Sequence, residues 1–366
     1  LAGNVKEIVS CSCMRPPETK DARRRTFPML ALTLGDPCGI GPEIVAKALP
    51  ALPVSLLDRL VVVGPRAAIE AAHRASRIPL PEWIPVHSDG SFDPAASGVK
   101  LLDTGQAGPF RAGAICPEGG EAAVAAIEAA HDLCDAGIFA GMVTGPIGKE
   151  AIRLAGSRFS GHTDMLCALA GVADTRMAMV WGRFRVAMTT LHVAWRDVPA
   201  LLTADSVYET IRLAHEAAVT KRVPYPCIRV AGLNPHAGEH GLFGDEEQKT
   251  ILPAIKRIRR VNPNVEGPIP ADSLFKAEYR RTTDYFVAQT HDQGLIAIKA
   301  LGGIRCVNVT LGLPYVRTSV GHGTAYDIAG RGIADHRGLI AAIREAVRLT
   351  KSEGIRAQSS RENKKR

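Results

Sequence analysis

The sequence predicts an α/β protein built of parallel βαβ units, and three observations carry that prediction. Short apolar runs recur along the chain, segments of helical length separate them, and each run ends in a glycine or polar cluster. In sheets of this kind ligands gather beyond the carboxyl ends of the strands, where these polar clusters fall.

The elements follow in order. Met29–Leu34 reads as a short buried strand, followed by a Gly/Pro turn and a helix from about Pro42 to Leu49. Pro42 suits a first helical turn because its missing N–H has no helical partner there. Leu60–Val63 is a second buried strand, closed by Gly64-Pro65. Glu118–Ala136 has helical spacing with an alanine-rich face and leads into Gly141–Thr144. Arg185–Thr190, Ile228–Leu233 and Phe286–Thr290 are further strands, each followed by polar residues. Arg337–Thr350 closes the body as an amphipathic helix.

Composition bounds the rest. The 366 residues are 46% hydrophobic and 22% charged, enough for a sizeable core and too apolar for a disordered chain. No apolar run reaches the roughly 18 residues of a membrane span, so no membrane association is expected. The net charge is +8, but residues 1–28 carry +3 and residues 351–366 carry +4, leaving +1 for the body. A nucleic-acid reader is expected to place its basic face on the folded body, so this distribution argues against that class. Residues 1–28 lack apolar periodicity and the core of a signal peptide, and their acids disfavour a transit peptide. They read as a disordered extension ahead of a start at Met29, and residues 351–366 as a basic tail. Eight scattered cysteines with no CxxC pair fit reduced thiols in a cytoplasmic enzyme. Cys11-Ser-Cys13 has no partner ligand nearby.

Four constellations are candidates for chemistry. Gly35-Asp36-Pro37-Cys38-Gly39-Ile40-Gly41-Pro42-Glu43 joins a strand to a helix, where backbone amides approach anions closely, but it is not the GxGxxG dinucleotide fingerprint. His192, His236 and His291 each lie just beyond a predicted strand; three imidazoles meeting at strand ends would hold a divalent cation with positions open for substrate. Gly161-His162-Thr163-Asp164 offers an imidazole and a hydroxyl to an anion, although Thr163 is equally placed to cap a helix starting near Met165. Lys299, Asn308 and Arg317, ahead of Gly321-His322-Gly323-Thr324, have the makings of an anion clamp.

Read together, the segments GDPCGIGPE, TGPIGKEA, GHTDML, TTLHVAWRDVP, GLNPHAGEHGLFGDEE, HDQGLIAIK and VNVTLGLPYVRTSVGHGTAYDIAG resemble the 4-hydroxythreonine-4-phosphate dehydrogenase (PdxA) family over residues 29–350. The resemblance implies an isopropylmalate/isocitrate-dehydrogenase-like α/β fold of two subdomains, residues 29–140 with 300–350 and residues 141–299, with the active cleft between them. It implies a homodimer whose site is completed by the partner subunit. His192, His236 and His291 would bind one divalent cation (zinc, magnesium or cobalt). His162, Thr163, Lys299, Asn308 and Arg317 would contact a small phosphorylated substrate.

The implied reaction uses NAD or NADP without the GxGxxG loop. It oxidises 4-phosphooxy-L-threonine at C3 to 2-amino-3-oxo-4-phosphooxybutanoate, which decarboxylates to 3-amino-2-oxopropyl phosphate in pyridoxal 5'-phosphate biosynthesis. Asp272 and Asp292 are the candidate proton acceptors. Two departures bear on substrate: the family commonly has Asn where Gly148 stands and Asp where Gly321 stands. They keep open a relative acting on 4-phospho-D-threonate or 4-phospho-D-erythronate, or an aromatic cis-dihydrodiol carboxylate dehydrogenase.

Overall fold

Leu60–Val63 forms a strand because β-branched residues pack well on a pleated surface buried on both faces, and all four of its residues are buried. The strands are β1 (Met29–Thr33), β2 (Leu60–Val63), β3 (Trp83–Pro85), β4 (Val99–Leu102), β5 (Phe139–Thr144), β6 (Arg176–Trp181), β7 (Phe184–Met188), β8 (Ile228–Ala231), β9 (Val265–Ile269), β10 (Tyr285–Ala288), β11 (Val307–Leu311) and β12 (Val316–Val320). The computed structural model describes residues 28–363 except 107 and 221. The extension expected over residues 1–28, with Cys11 and Cys13, lies outside the described residues apart from Pro28.

The strands form one sheet in the order β3-β4-β2-β1-β5-β12-β11-β6-β7-β10-β8-β9. The α/β expectation holds, with one correction: the sheet is mixed, not parallel throughout. One wing, from β3 to β12, is parallel, with β5 beside β12. The other, β7-β10-β8-β9, is parallel as well. Between them three antiparallel pairings, β12/β11, β11/β6 and β6/β7, reverse the chain direction, so the two wings run oppositely.

The two faces of the sheet differ. One carries a continuous core in which Leu30, Leu32, Val62, Val143, Val180, Val309 and Val320 meet apolar residues of the helices Gly41–Ala51, Ala204–Ala218, Leu252–Ile258 and Arg337–Asn363. The other carries two separate patches. Ala31, Val61 and Met142 pack with Ile127 of the helix Pro117–Asp135; Val186, Met188 and Phe286 pack with Leu295 and Ile298 of the helix His291–Gly302. On the middle strands the residues of this face are Arg317, Ser319, Asn308 and Met179, as the pairings Met142↔Arg317, Asn308↔Ser319 and Asn308↔Met179 require. A gap between the two patches is therefore floored by polar side chains.

The closing helix runs Arg337–Asn363, past the Thr350 end that the periodicity predicts and into the segment read as a basic tail. Among the described residues no helix is long and apolar enough to cross a membrane.

Candidate active site

That gap is a cavity of about 630 Å³. Its walls bring together His162, Thr163, His192, His291, Lys299, Asn308 and Arg317 from far-apart segments, and they add Lys149, Ser160, Asp164, Ser319 and His322.

Arg317 lies in the floor, 2% exposed. Its Nε and Nη2 donate to Thr144 Oγ1 at 3.2 and 2.8 Å, and its Nη1 donates to Thr310 Oγ1 at 2.9 Å. All three acceptors are neutral hydroxyls, and among the described residues no carboxylate forms an ion pair with it. Burial alone pulls this guanidinium down to about 10, so it keeps its charge at neutral pH without an internal counter-ion. A buried cation in that state attracts an anionic ligand.

Around Arg317 stand groups suited to the same anion. The helix His162–Leu169 opens into the cavity, with free backbone N–H groups in its first turn. Thr163 lies inside that first turn; it is not the cap of a helix starting near Met165, because the helix begins at His162 behind Gly161. The N-terminal turn is closed by Asp164, whose carboxylate accepts from Ser160 N–H. Burial, then the nearby Arg317 charge, holds His162 well below its ordinary value, so the imidazole is neutral. His162 Nε2 and Asn308 Oδ1 are buried and have no hydrogen-bond partner. Unpaired buried polar atoms are costly and mark where a ligand supplies the missing bond. Lys299 sits in the last turn of the helix His291–Gly302 and lines the cavity.

The opposite wall carries the imidazoles. The ring centres of His192 and His291 are 5.5 Å apart. Two imidazoles bound to one ion at ~2.0–2.1 Å and a near-tetrahedral angle have ring centres roughly 5 Å apart, so the pair fits a shared cation. His291 is held firmly. Thr290 caps its helix through a capping box with Gln293, and the Gln293 amide reaches Gly232 O at 3.0 Å, tying this helix to the exit of β8. Asp292 Oδ1 accepts from His291 Nδ1 at 2.7 Å, which fixes the ring and leaves Nε2 for a ligand. Desolvation, then the charges of Lys149 and His291, pulls His192 below its ordinary value, which favours the neutral, ligating form.

His236 does not line this cavity. It is exposed in a left-handed turn, with φ of 53°, 52°, 78°, 40° and 59° over residues 236–240. Such a turn persists for non-glycine residues only when its surroundings impose it. Just ahead of the turn the buried Glu247 carboxylate anchors the chain, accepting from the N–H groups of Leu233 and Asn234 at 2.7 and 2.8 Å and from Asn234 Nδ2 at 3.0 Å. Among the described residues no three His, Cys, Asp or Glu side chains are grouped to hold a metal. One chain thus supplies two of the three predicted imidazoles to the cavity. Asp272 is exposed and outside the cavity, its carboxylate accepting from Ser273 Oγ at 3.2 Å. Asp292 faces a smaller adjoining recess and is engaged by His291.

Sequence reading assigned no role to Lys149, although it follows the β5 end just as the histidines follow theirs. The glycine departures have distinct surroundings. A Cβ on Gly148 would lie 1.9 Å from the Tyr326 hydroxyl, and one on Gly321 would lie 2.9 Å from the Cys306 carbonyl oxygen. The Tyr326 hydroxyl donates to Asp36, a buried carboxylate of the GDPCGIGPE turn. It therefore stands where a side chain at position 148 would begin.

Relatives of this mixed-sheet chain with its cationic, imidazole-bearing cavity are α/β dehydrogenases. The family model described as pyridoxal phosphate biosynthetic protein PdxA matches residues 57–346. A 4-hydroxythreonine-4-phosphate dehydrogenase of Desulfosudis oleivorans is 42% identical over 323 residues, 87% of this chain and 95% of its own length. A D-threonate 4-phosphate dehydrogenase of Cupriavidus necator is 38% identical over 328 residues, 88% and 97% of the two chains. The crystal structure of a 4-hydroxythreonine-4-phosphate dehydrogenase from Klebsiella pneumoniae superposes with a TM-score of 0.80 at 36% identity, covering 89% of this chain and 98% of that one. The chain belongs to the PdxA family and is a dehydrogenase.

Proposed function

We propose that this chain oxidises 4-phosphooxy-L-threonine at C3 with NAD as hydride acceptor, in pyridoxal 5'-phosphate biosynthesis. The observation that carries the reading is the buried, counter-ion-free Arg317 facing the His192/His291 pair across one cavity. The substrate phosphate is held by Arg317, Lys299, the Asn308 side chain and the first turn of the helix His162–Leu169, and Lys149 adds positive charge beside His192. That grip sets the C3 hydroxyl against the imidazoles; a bound nicotinamide would accept the C3 hydride, and the hydroxyl proton passes to a base or to solvent. The resulting 3-oxo acid carries a β-carboxylate and loses CO₂ to give 3-amino-2-oxopropyl phosphate. His192 and His291 would hold a divalent cation, which would supply Lewis-acid polarisation of a substrate oxygen. The third ligand is His236 of a second copy in a homodimer. This is supported by its exposure and by the exposed apolar Leu242 and Phe243 on the same loop. The cavity lies where the subdomain formed by residues 29–140 and 300–350 meets that formed by residues 141–299.

A second substrate, D-threonate 4-phosphate, is supported by the 38% identity to the D-threonate 4-phosphate dehydrogenase of Cupriavidus necator, and Tyr326 fills the place of the side chain missing at Gly148. Both substrates carry the phosphate, so the anion site does not separate them. The test is cofactor reduction, with NAD and NADP, on 4-phosphooxy-L-threonine, D-threonate 4-phosphate, D-erythronate 4-phosphate and an aromatic cis-dihydrodiol carboxylate, before and after chelation. Highest kcat/KM on 4-phosphooxy-L-threonine, lost on chelation and restored by zinc, magnesium or cobalt, is expected. Preference for the dihydrodiol, or full turnover in metal-free buffer, refutes the reading.

A further inference from the structure

Away from the imidazoles, two thiols from opposite ends of a long stretch of chain meet. Cys38 belongs to the turn after β1 and Cys116 immediately precedes the helix Pro117–Asp135, 78 residues apart in sequence. Their sulfurs are 3.5 Å apart in a thiol–thiol hydrogen bond. Cys38 is fully buried and Cys116 is half-buried, so Cys116 is the more accessible residue of the pair. The contact is built from both sides. Gly113 N–H donates to Cys38 O at 2.8 Å, and Gly119 lacks a side chain where a Cβ would lie 3.2 Å from Cys38 Sγ and 2.7 Å from Asp36 Oδ1. The turn and the helix start are thereby brought close enough for the sulfurs to touch.

We propose that Cys38 and Cys116 form a reversible disulfide-forming site for a hydroperoxide oxidant. The sulfurs, 3.5 Å apart, need to approach by about 1.5 Å to reach the ~2.05 Å of a disulfide. The half-buried Cys116 reacts first. Its sulfur attacks the peroxide, the O–O bond breaks, a sulfenic acid forms and one water, or alcohol, leaves. The Cys38 sulfur then attacks the Cys116 sulfur; the S–O bond breaks, and the hydroxide leaves as water with the Cys38 proton. Two electrons pass from the two thiols to the peroxide. Burial, then the hydrogen bond to Cys116, pushes the Cys38 thiol up to about 12, which disfavours it as the first attacker. The bond would join the turn that packs on the cavity wall, where Asp36 N–H donates to Pro146 O at 2.9 Å, to the start of the helix.

The test treats the full-length reduced protein with a small excess of hydrogen peroxide and maps its peptides without reduction. Trypsin and a glutamate-specific protease are combined, so that cuts at Glu118, Glu121 and Glu128 separate Cys116 from Cys134. A peptide linking Cys38 to Cys116, two hydrogens lighter than its parts and released by a dithiol, is the expected result. In Cys116→Ala, Cys38 stays a free thiol at the same dose. Any of four results overturns the proposal: both thiols unchanged, Cys116 carried to sulfinic or sulfonic acid with Cys38 reduced, Cys38 linked to another cysteine, or a link that a dithiol does not open. The wild-type map decides the matter even if the variant does not fold.

Discussion

Arg317 carries a charge into the middle of the sheet and finds only hydroxyls there. Its folded-state pKa lies below its ordinary value, so the charged form is disfavoured by folding. For a cation of this kind the penalty is fully present at neutral pH and fades only as pH rises through about 10, where the folded form releases its proton. At working pH the fold therefore carries an unmatched charge, offset when an anion binds. Arg317→Met removes the charge and keeps most of the volume. We expect kcat/KM for the phosphorylated substrate to fall about ten- to hundredfold, as loss of a charge-assisted contact implies. The melting temperature should not fall, because replacing a poorly paired buried charge by an apolar side chain is often neutral or stabilising. Calorimetry with and without inorganic phosphate checks this: phosphate should raise the melting temperature of the parent and leave that of the variant in place. A variant that melts lower and is still stabilised by phosphate would show that Arg317 is a structural cation.

The two loops that wall the cavity, after β5 and after β12, are coupled through Gly148 and Tyr326. A side chain at 148 collides with the Tyr326 hydroxyl, although the Gly148 backbone, at φ −83°, is open to any residue. Gly148→Asn should thus destabilise by ~1–3 kcal/mol through overpacking. Combined with Tyr326→Ala the loss should be smaller than the sum of the two single losses, with a coupling of ~0.5–3 kcal/mol in denaturant unfolding. Simple additivity would show that the two positions do not share that space. In the parallel wings β3, β4 and β9 escaped the sequence reading, since Trp83–Pro85 is only three residues long, Lys100 interrupts β4, and Glu266 and Pro268 interrupt β9; the apolar β2 and β10 were legible, Leu60–Val63 to the residue and Phe286–Thr290 one residue from its observed start. The central strands were not. In β11 and β12 the residues Asn308, Thr310, Arg317 and Ser319 face the cavity or its floor, so the segments carry chemistry-like residues at strand spacing and look like loop motifs. The reversal of direction between the wings leaves no local mark, since a strand's composition does not record which way its neighbour runs. His162, Thr163, Lys299, Asn308 and Arg317, singled out in the sequence as candidate anion contacts, all line the cavity. Lys149 and the Cys38/Cys116 contact were not legible, because single residues far apart in the chain announce no meeting.

At the scale of the whole molecule, the reversed wings bear on why one chain brings only two of the three proposed imidazole ligands to the cavity. The polar loops after β5 and β12 and those after β7 and β10 come from strands of opposite direction, and they meet only over the antiparallel middle. His192 and His291 reach that meeting place from adjacent strands, β7 and β10. His236 follows β8, on the outer side of β10, and its loop turns outward just after Leu233 and Asn234, which Glu247 anchors. A second copy related by a two-fold axis can supply it, since each subunit then gives what it receives. Mixing two inactive variants separates this arrangement from one in which a chain uses its own His236. His236→Ala and His291→Ala should each lose metal and turnover with little change in unfolding midpoint, since neither residue is in the core. In the mixed dimer, the site built on the His236→Ala chain keeps its own His192 and His291 and receives His236 from the His291→Ala chain. Unfolding and refolding the two together should recover about a quarter of the parental rate, because half the dimers are mixed and each has one intact site. If His236 serves its own chain, every site in the mixture lacks a ligand and the rate stays at that of the separate variants.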